Sequence, residues 1–400
     1  MNFSAMPWPL RMVTYATIVL LLLFIYFSFR YFRSIDLLDP DHAGIYKMIL
    51  GLAALLFFVY PAWGLIRYWL TGTYNHTGFP DPLIYLFWFG LIFSGVMLNW
   101  CILHDLLLPL FKKFSSYPAE WLNLRFAGLF LILTSVTFLF TATKLVWDTH
   151  RITTLSLNHA ISTANPDFTP LRVVHIADLH ADSYTDTKKM SRYVNRINEL
   201  EPDIVLFGGD LITSGPDHIE AGASALGKIV SKYGTFAVLG DHDYWNQPEH
   251  IIETLGRHGV QVLRDQNIRI DHNGQEIRIT GITELYSRMI APGSLTSLLN
   301  DRSDGSVNIL FAHQTTGRII ERAQESEIHL LLGAHTHGGQ IRIPIFFYKA
   351  TAARSETRYV NGHWYKDQML LNVNNGLGFT LSPVRYNAPA QVTVITLKPD

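Results

Sequence analysis

The stretch Gly333-Ala334-His335-Thr336-His337-Gly338-Gly339-Gln340 decides how the rest of the chain is read. Leu330, Leu331 and Leu332 run into it without a charge, which predicts a buried strand ending in a turn. Residues i and i+2 of an extended segment point the same way, so His335 and His337 face one site. Gly338 and Gly339 then let the backbone turn sharply. A His-x-His pair alone is a weak signal for a metal. It gains weight because other acidic and histidine clusters upstream also close apolar runs.

A strand predicted over 172–177 ends in Asp178-Leu179-His180, a second over 203–207 in Gly208-Gly209-Asp210, and a third over 235–239 in Gly240-Asp241-His242-Asp243. Helices are predicted between them, over 187–200 and about 218–232. The intervals Asp178 to Asp210 and Asp210 to Asp241 are 32 and 31 residues, about one β-α-β unit each. Such spacing sets three strand ends side by side at the carboxyl edge, where open α/β sheets carry their sites. Leu310-Phe311-Ala312-His313 closes a further strand. Three carboxylates (Asp178, Asp210, Asp241) and four imidazoles (His180, His313, His335, His337) then meet at one edge. Carboxylates so gathered repel one another unless cations sit among them. Mixed Asp/His donors suit divalent Mn, Fe or Zn better than Ca or Mg, and seven ligands with one carboxylate shared suffice for two ions.

Taken in order, DLH, GGD, GDHD, FAHQ and AHTHGGQ resemble the motif series of the calcineurin-like metallophosphoesterases. The resemblance is strongest to the bacterial membrane-associated branch, through the Gly-Gly-Gln-Ile that continues into Ile343-Pro344, Asn375-Gly376-Leu377-Gly378 and Pro383-Val384-Arg385. It implies a layered α/β/β/α sandwich with one metal on Asp178, His180, Asp210 and His337. The second would rest on Asp210 (bridging), Asp241, His313 and His335, with a hydroxide between the ions as nucleophile. His242, steered by Asp243, would stabilise or protonate the leaving oxygen. Asp241 stands where the family has Asn, which adds a negative charge to the centre. Substrate-binding residues are not indicated.

The first 150 residues read differently. They hold only 16 of the 65 charged residues, and the runs 12–29, 48–66, 83–103 and 126–143 carry none. Each is close to the roughly 20 residues that cross a bilayer core, and Trp63, Trp69, Trp100, Trp121 and Trp147 stand near their ends as at membrane interfaces. The expected organisation is a transmembrane domain over 1–147, a linker over 148–170 with an edge strand near 152–157, and a catalytic domain over 171–400. With four crossings both termini share a side. Arg11, Arg67, Lys144 and Arg151 lie there, against Arg30, Arg33, Lys47, Lys112, Lys113 and Arg125 on the other side. The positive-inside rule then puts the catalytic domain outside the cytoplasm.

A net charge of −1 gives no reason to expect a nucleic acid, and a single cysteine, Cys101, excludes a disulfide framework. The expected function is a multi-pass membrane phosphoesterase acting on a phosphomonoester, phosphodiester or pyrophosphate, with a lipid-linked substrate favoured by the anchoring. The alternatives are a phospho-ligand sensor built on the same fold, or a hydrolase that regulates a membrane transport or assembly protein.

Overall fold

The structure is a computed structural model and describes residues 6–74, 78–162 and 167–400. Positions 163–166 of the expected linker lie outside the described residues. The chain forms two compact units. One comprises Met1–Thr149, Ile341–Ala350 and Leu381–Asn387; the other comprises His150–Gln340, Thr351–Thr380 and Ala388–Asp400.

The first unit contains α1 (Trp8–Leu38), α2 (Ala43–Thr71), α3 (Asp81–Phe114) and α4 (Ala119–His150). All four are long and apolar enough to cross a membrane. They outrun the predicted spans because the polar flanks stay helical. At 29–34 residues each they measure roughly 45–50 Å, against a hydrocarbon core of about 30 Å. Pro9 and Pro82 open α1 and α3 within the first turn, where a missing N–H is no loss. Gly72, at φ +69°, closes α2. In α3, 67% of the apolar window is buried, against 17–28% in the other three, so α3 is the helix that the others wrap. Its Phe87, Ile92, Met97 and Cys101 meet Val13 and Leu20 of α1 and Phe130 of α4. Cys101 is plain apolar filling.

The second unit begins with β1 (Ile152–Ile161), β2 (Leu171–Ile176), α5 (Thr187–Asn198), β3 (Ile204–Phe207), α6 (Ile219–Leu226), β4 (Thr235–Ala237), α7 (Asp241–Trp245), α8 (Pro248–Arg257) and β5 (Val260–Val262). It continues with β6 (Gln266–His272), β7 (Gln275–Ile282), the short β8 (Glu284–Leu285) and β9 (Arg288–Met289), α9 (Pro292–Asn300), β10 (Val307–Ala312), α10 (Gly317–Glu325) and β11 (Leu330–Gly333). A hairpin of β12 (Ile343–Ile345) and β13 (Tyr348–Ala350) belongs to the first unit. Then β14 (Gly362–Lys366), β15 (Met369–Val373) and β16 (Ala390–Pro399) complete the second.

Two six-stranded sheets result, ordered β1-β16-β2-β3-β4-β5 and β14-β15-β11-β10-β7-β6. Between them lies a dry layer in which Val173, Leu206 and Phe236 face Ile279, Ile309 and Leu332. Helices α5, α6 and α8 cover the outer face of the first sheet through Val174, Val205 and Ile251. Helices α9 and α10 cover the second through Leu295, Ile319 and Leu331. Central strands buried on both faces read as unbroken apolar runs, which is why Ile-Val-Leu-Phe and Leu-Leu-Leu predicted strands. The expected edge strand runs on to Ile161, paired parallel to β16 along all its length from Ile152↔Ala390 to Ile161↔Pro399.

The sheets fix where the motifs end. Strands β2, β3 and β4 are parallel neighbours with Ile176 opposite Phe207 and Phe207 opposite Ala237. The pairing continues past the strands, Asp178 N to Gly209 O (2.8 Å) and His180 N to Asp210 O (3.0 Å). In the second sheet β10 and β11 run parallel with Phe311 opposite Leu332, and Ala334 N donates to His313 O (2.9 Å). The Gly-Leu-Gly segment closes the floor: Gly378 N donates to Asp178 O (2.7 Å). A Cβ on Gly378 would stand 2.1 Å from the Leu179 carbonyl oxygen, a backbone atom that cannot swing aside.

Gly378→Ala is therefore expected to lower stability by about 1–3 kcal/mol and to reduce the thermal midpoint of the detergent-purified chain. Gly256→Ala, where nothing lies within 4 Å of the added Cβ, serves as the comparison and should stabilise α8 slightly. Equal midpoints for Gly378→Ala and wild type would show that the floor is not sterically closed.

Candidate metal centre

Five loops, each leaving a strand end, deliver the nine residues singled out by sequence. Asp178 and His180 follow β2, Asp210 follows β3, and Asp241, His242 and Asp243 form the start of α7 after β4. His313 follows β10, and His335 and His337 follow β11. The single edge expected from the sequence is thus shared by two sheets that meet at their carboxyl ends. Donor atoms converge in two groups, Asp210/Asp241/His313/His335 and Asp178/His180/His337, with His180/Asp210/His242 joining them. Asp210 Oδ2 lies 3.4 Å from His180 Nε2 and 3.4 Å from His313 Nε2. Its other oxygen accepts from His242 N (3.0 Å).

Close approach of loops makes this convergence feasible. A Cβ on Gly240 would stand 2.1 Å from Asp210 Oδ1, so only glycine lets the third loop pass the second. Asp178, His180, Asp210, His335 and His337 all have φ between +45° and +73°. For L-residues that region costs on the order of 1–2 kcal/mol each. Five strained backbones within one cluster are a local sacrifice of stability for side-chain direction.

Two of the imidazoles, those of His313 and His335, are held from behind, with protons assigned by the hydrogen-bond network. His313 Nδ1 donates to Gly208 O (2.7 Å), leaving Nε2 to face Asp241 Oδ1 at 3.0 Å. His335 presents Nδ1 to the same Asp241 oxygen (3.1 Å) and rests Nε2 on Glu356 Oε2 (3.2 Å). His180 Nε2 and His337 Nε2 stand 3.0 Å apart, a meeting of two ring nitrogens. His337 Nε2 is 3.5 Å from Asp178 Oδ1.

Electrostatics match a cation-binding set. Asp178, Asp210 and Asp241 are buried at 0%, 1% and 7% exposure, and among the described residues no Lys or Arg forms an ion pair with them. Burial pushes the Asp178 carboxyl up to about 6. Burial opposes charge on His313 too, but the charge of Asp210 and the bonds to Asp210 and Asp241 outweigh it and raise its pKa well above the usual range. His335, likewise buried, is lifted to about 9 by its bonds to Asp241 and Glu356. Burial and the charge of Asp210 work to raise the pKa of Asp241, yet the two imidazoles hold it below the ordinary carboxylate value. Protons on imidazoles thus balance buried carboxylates, and a divalent cation can take over that balance by displacing them. Donors 3.0–3.5 Å apart are also spaced as neighbouring ligands of an ion bonded at roughly 2.0–2.2 Å. The residues fit a metal centre.

One expected role is filled differently. Asp243 does not steer His242. Its carboxylate points into the loops, accepting from Gly240 N (3.0 Å), Asp210 N (2.8 Å) and Leu211 N (2.9 Å). Burial and the charge of Asp210 push its pKa up to about 7 against the pull of those amides. It ties the second loop to the third. His242 is oriented by a backbone carbonyl, Nδ1 to Thr213 O at 2.7 Å, and its ring stands against Trp245, 60% exposed. Burial lowers the His242 pKa. Glu356 and Thr213 carried no sequence signal: one lies in a turn before β14, the other acts through its main chain.

A carboxylate behind a ligating histidine fixes its ring and raises its basicity, and losing such a partner typically costs about 10–100-fold in metal affinity. Glu356→Ala is expected to weaken metal binding by that factor in chelator competition, with the second unit still folded. Unchanged affinity would remove Glu356 from the site.

Residues 171–339 match the sequence model of a family described as calcineurin-like phosphoesterase. A metallophosphoesterase of Campylobacter jejuni is 28% identical over 232 residues, 57% of this chain and 59% of that protein. A transmembrane protein with metallophosphoesterase domain from Danio rerio is 28% identical over 236 residues, 57% of this chain and 53% of that one. Phosphodiesterase YaeI of Escherichia coli is 25% identical over 245 residues, 60% of this chain and 87% of that one. The match therefore spans little more than half the length of the first two relatives. Residues 171–339, which carry these loops, are a calcineurin-like phosphoesterase domain.

Proposed function

We propose that this chain is a membrane-anchored phosphoesterase that opens a phosphomonoester, phosphodiester or pyrophosphate bond at a pair of divalent metal ions. Asp178, His180, Asp210 and His337 would hold one ion and Asp210, Asp241, His313 and His335 the other. The observation that carries the reading is the place of Asp210 Oδ2, equidistant at 3.4 Å from a histidine of each group. One carboxylate oxygen between two donor sets is the arrangement of a bridged dinuclear centre. The mixed nitrogen and oxygen donors favour Mn, Fe or Zn. Ions at these positions polarise a phosphoryl group and acidify water.

His242 then handles the leaving oxygen. Its Nδ1 is committed to Thr213 O, so Nε2 is the atom free to exchange a proton. Burial lowers the pKa of the ring; an anionic phosphate bound beside it favours the protonated form that can act as an acid. The anchoring favours a substrate carried in the membrane, a lipid-linked phosphate, and the name of the Escherichia coli relative supports a diester among the three bond types. The net charge of −1 gives no reason to expect a nucleic-acid substrate.

Purified full-length protein with Mn²⁺ should hydrolyse a nitrophenyl phosphodiester or monoester. Asp210→Ala should lose activity and both ions together, whereas His337→Ala should weaken mainly one. Asp210→Ala protein retaining close to two ions per chain would refute the bridging role. His242→Ala should keep its metals and lose roughly 10²–10⁴-fold in kcat, less for nitrophenolate than for an alkoxide leaving group. An equal loss with both would count against the acid role.

We further infer that the second unit faces away from the cytoplasm, on the strength of the four against six distribution of Lys and Arg around the helix ends. A periplasmic-type reporter fused after Arg151 is expected to be active; a fusion active only in the cytoplasm would reverse the orientation.

A further inference from the structure

The hairpin β12–β13 leaves the metal-site loop just after Gln340 and packs within the membrane unit against α3. Its strands pair Ile343↔Ala350, Pro344↔Lys349 and Ile345↔Tyr348, so the turn is the dipeptide Phe346-Phe347. Two features of that turn are costly in water. Phe347 is fully exposed, with Phe346 and Tyr348 at 47% and 51%. Phe346 also sits at φ +51°, a region that two-residue hairpins normally fill with Gly, Asn or Asp and that is an outlier for a bulky residue. Glycine or asparagine would close this turn more cheaply, so the aromatic tip answers to something outside the turn.

The seat of the hairpin points to what that is. Asn99, inside the apolar run of α3, donates from Nδ2 to Pro344 O (2.9 Å) and accepts from Phe346 N at Oδ1 (2.6 Å). Ile343 lies against Gly95 so closely that a Cβ there would be 2.7 Å from it. Trp100 Nε1 donates to Thr137 Oγ1 (3.0 Å), which sets this part of α3 level with Phe138, Leu139 and Phe140 of α4. Those three are 45%, 66% and 58% exposed: they belong to the outward apolar belt of the bundle. The tip is therefore attached at the depth of the apolar belt, not at the charged helix ends. Non-helical backbone at that depth is tolerated only where protein satisfies its polar groups, and the Asn99 amide does so for a carbonyl and an N–H beside the turn.

We propose that the β12–β13 hairpin is a lipid-inserting element: Phe346, Phe347 and Tyr348 enter the acyl layer beside α3, held there by Asn99. Lys349 follows the tip and is exposed, and its long stem would let it carry its charge back toward the headgroups. The proposal concerns the membrane unit alone and does not rest on the phosphoesterase reading.

The test uses the full chain with Cys101→Ala and Phe347→Cys, labelled with an environment-sensitive fluorophore and reconstituted in phosphatidylcholine/phosphatidylglycerol vesicles. Tyr365→Cys, exposed on β14, is the comparison. At 347, nitroxides on the acyl chains should quench several-fold more than aqueous iodide, and the order should reverse at 365. Asn99→Ala should shift the 347 label toward iodide while metal content and the 365 signal stay unchanged. If Phe347→Cys does not yield monodisperse protein, Tyr348→Cys is used in its place. Iodide quenching at 347 equal to that at 365 overturns the proposal, and so does protection from both quenchers, which would mean a protein surface covers the tip.

Discussion

Three carboxylates buried beside one another govern the second unit. Asp178, Asp210 and Asp241 have almost no access to water and no Lys or Arg partner among the described residues. Such a cluster persists only if positive charge is supplied locally, and His180, His313 and His335, whose pKa values the carboxylates raise, are a supply. Because a histidine can give up its proton to make way for a cation, the same arrangement is balanced with or without ions. The surrounding fold holds these seven side chains together against their own repulsion.

The means are mechanical. Two sheets end at a common edge, so that parallel neighbours β2, β3, β4 and β10, β11 each release a loop there. The loops do not simply fray. Backbone bonds continue the ladder through Gly209, Asp210 and Leu211, and the Asp243 carboxylate gathers three amides from two loops. That network is what permits five ligand-bearing residues to sit at positive φ. Left-handed backbone is unfavourable alone and stable when neighbouring bonds over-determine it. Asp243 thus matters as a loop tie rather than as the partner of His242.

Much of this was legible in the sequence because strands buried on both faces leave unmistakable apolar runs, and the chemistry sits where those runs stop. Asp178, Asp210, Asp241, His313 and His335 each declared themselves by ending one. The helices α7 to α10 and the strands β5, β6, β8, β9 and β12 to β14 were not read. They are short or mixed in polarity; β6, for instance, mixes intermediate and exposed positions ahead of the buried His272 on an outer strand. Glu356 escaped for a different reason: its role depends on a turn brought beside His335 by tertiary structure, and no local pattern records that. Thr213 acts through its carbonyl, which any residue type possesses. His175 shows the opposite case, a histidine inside a strand whose Nδ1 is 2.9 Å from Asn372 Oδ1 and whose pKa burial lowers to about 4; it is a core residue, as its position between apolar neighbours implies.

The membrane unit poses the remaining question of why four helices are present when one would tether. Their apolar runs contain no Asp, Glu, Lys or Arg, the residues that mark ion or substrate pathways. An ionic group at the helix ends, Asp105 with Arg30 and Tyr26, is closed on itself at 2.6 Å on either side and lies past the end of the α3 run. Of the polar groups that the runs hold, Trp100 is engaged on Thr137 and Asn99 on the hairpin. The wrapping of α3 is what lets an asparagine and a glycine on one of its faces, Asn99 and Gly95, receive a returning segment of chain, which a lone helix has no neighbours to support.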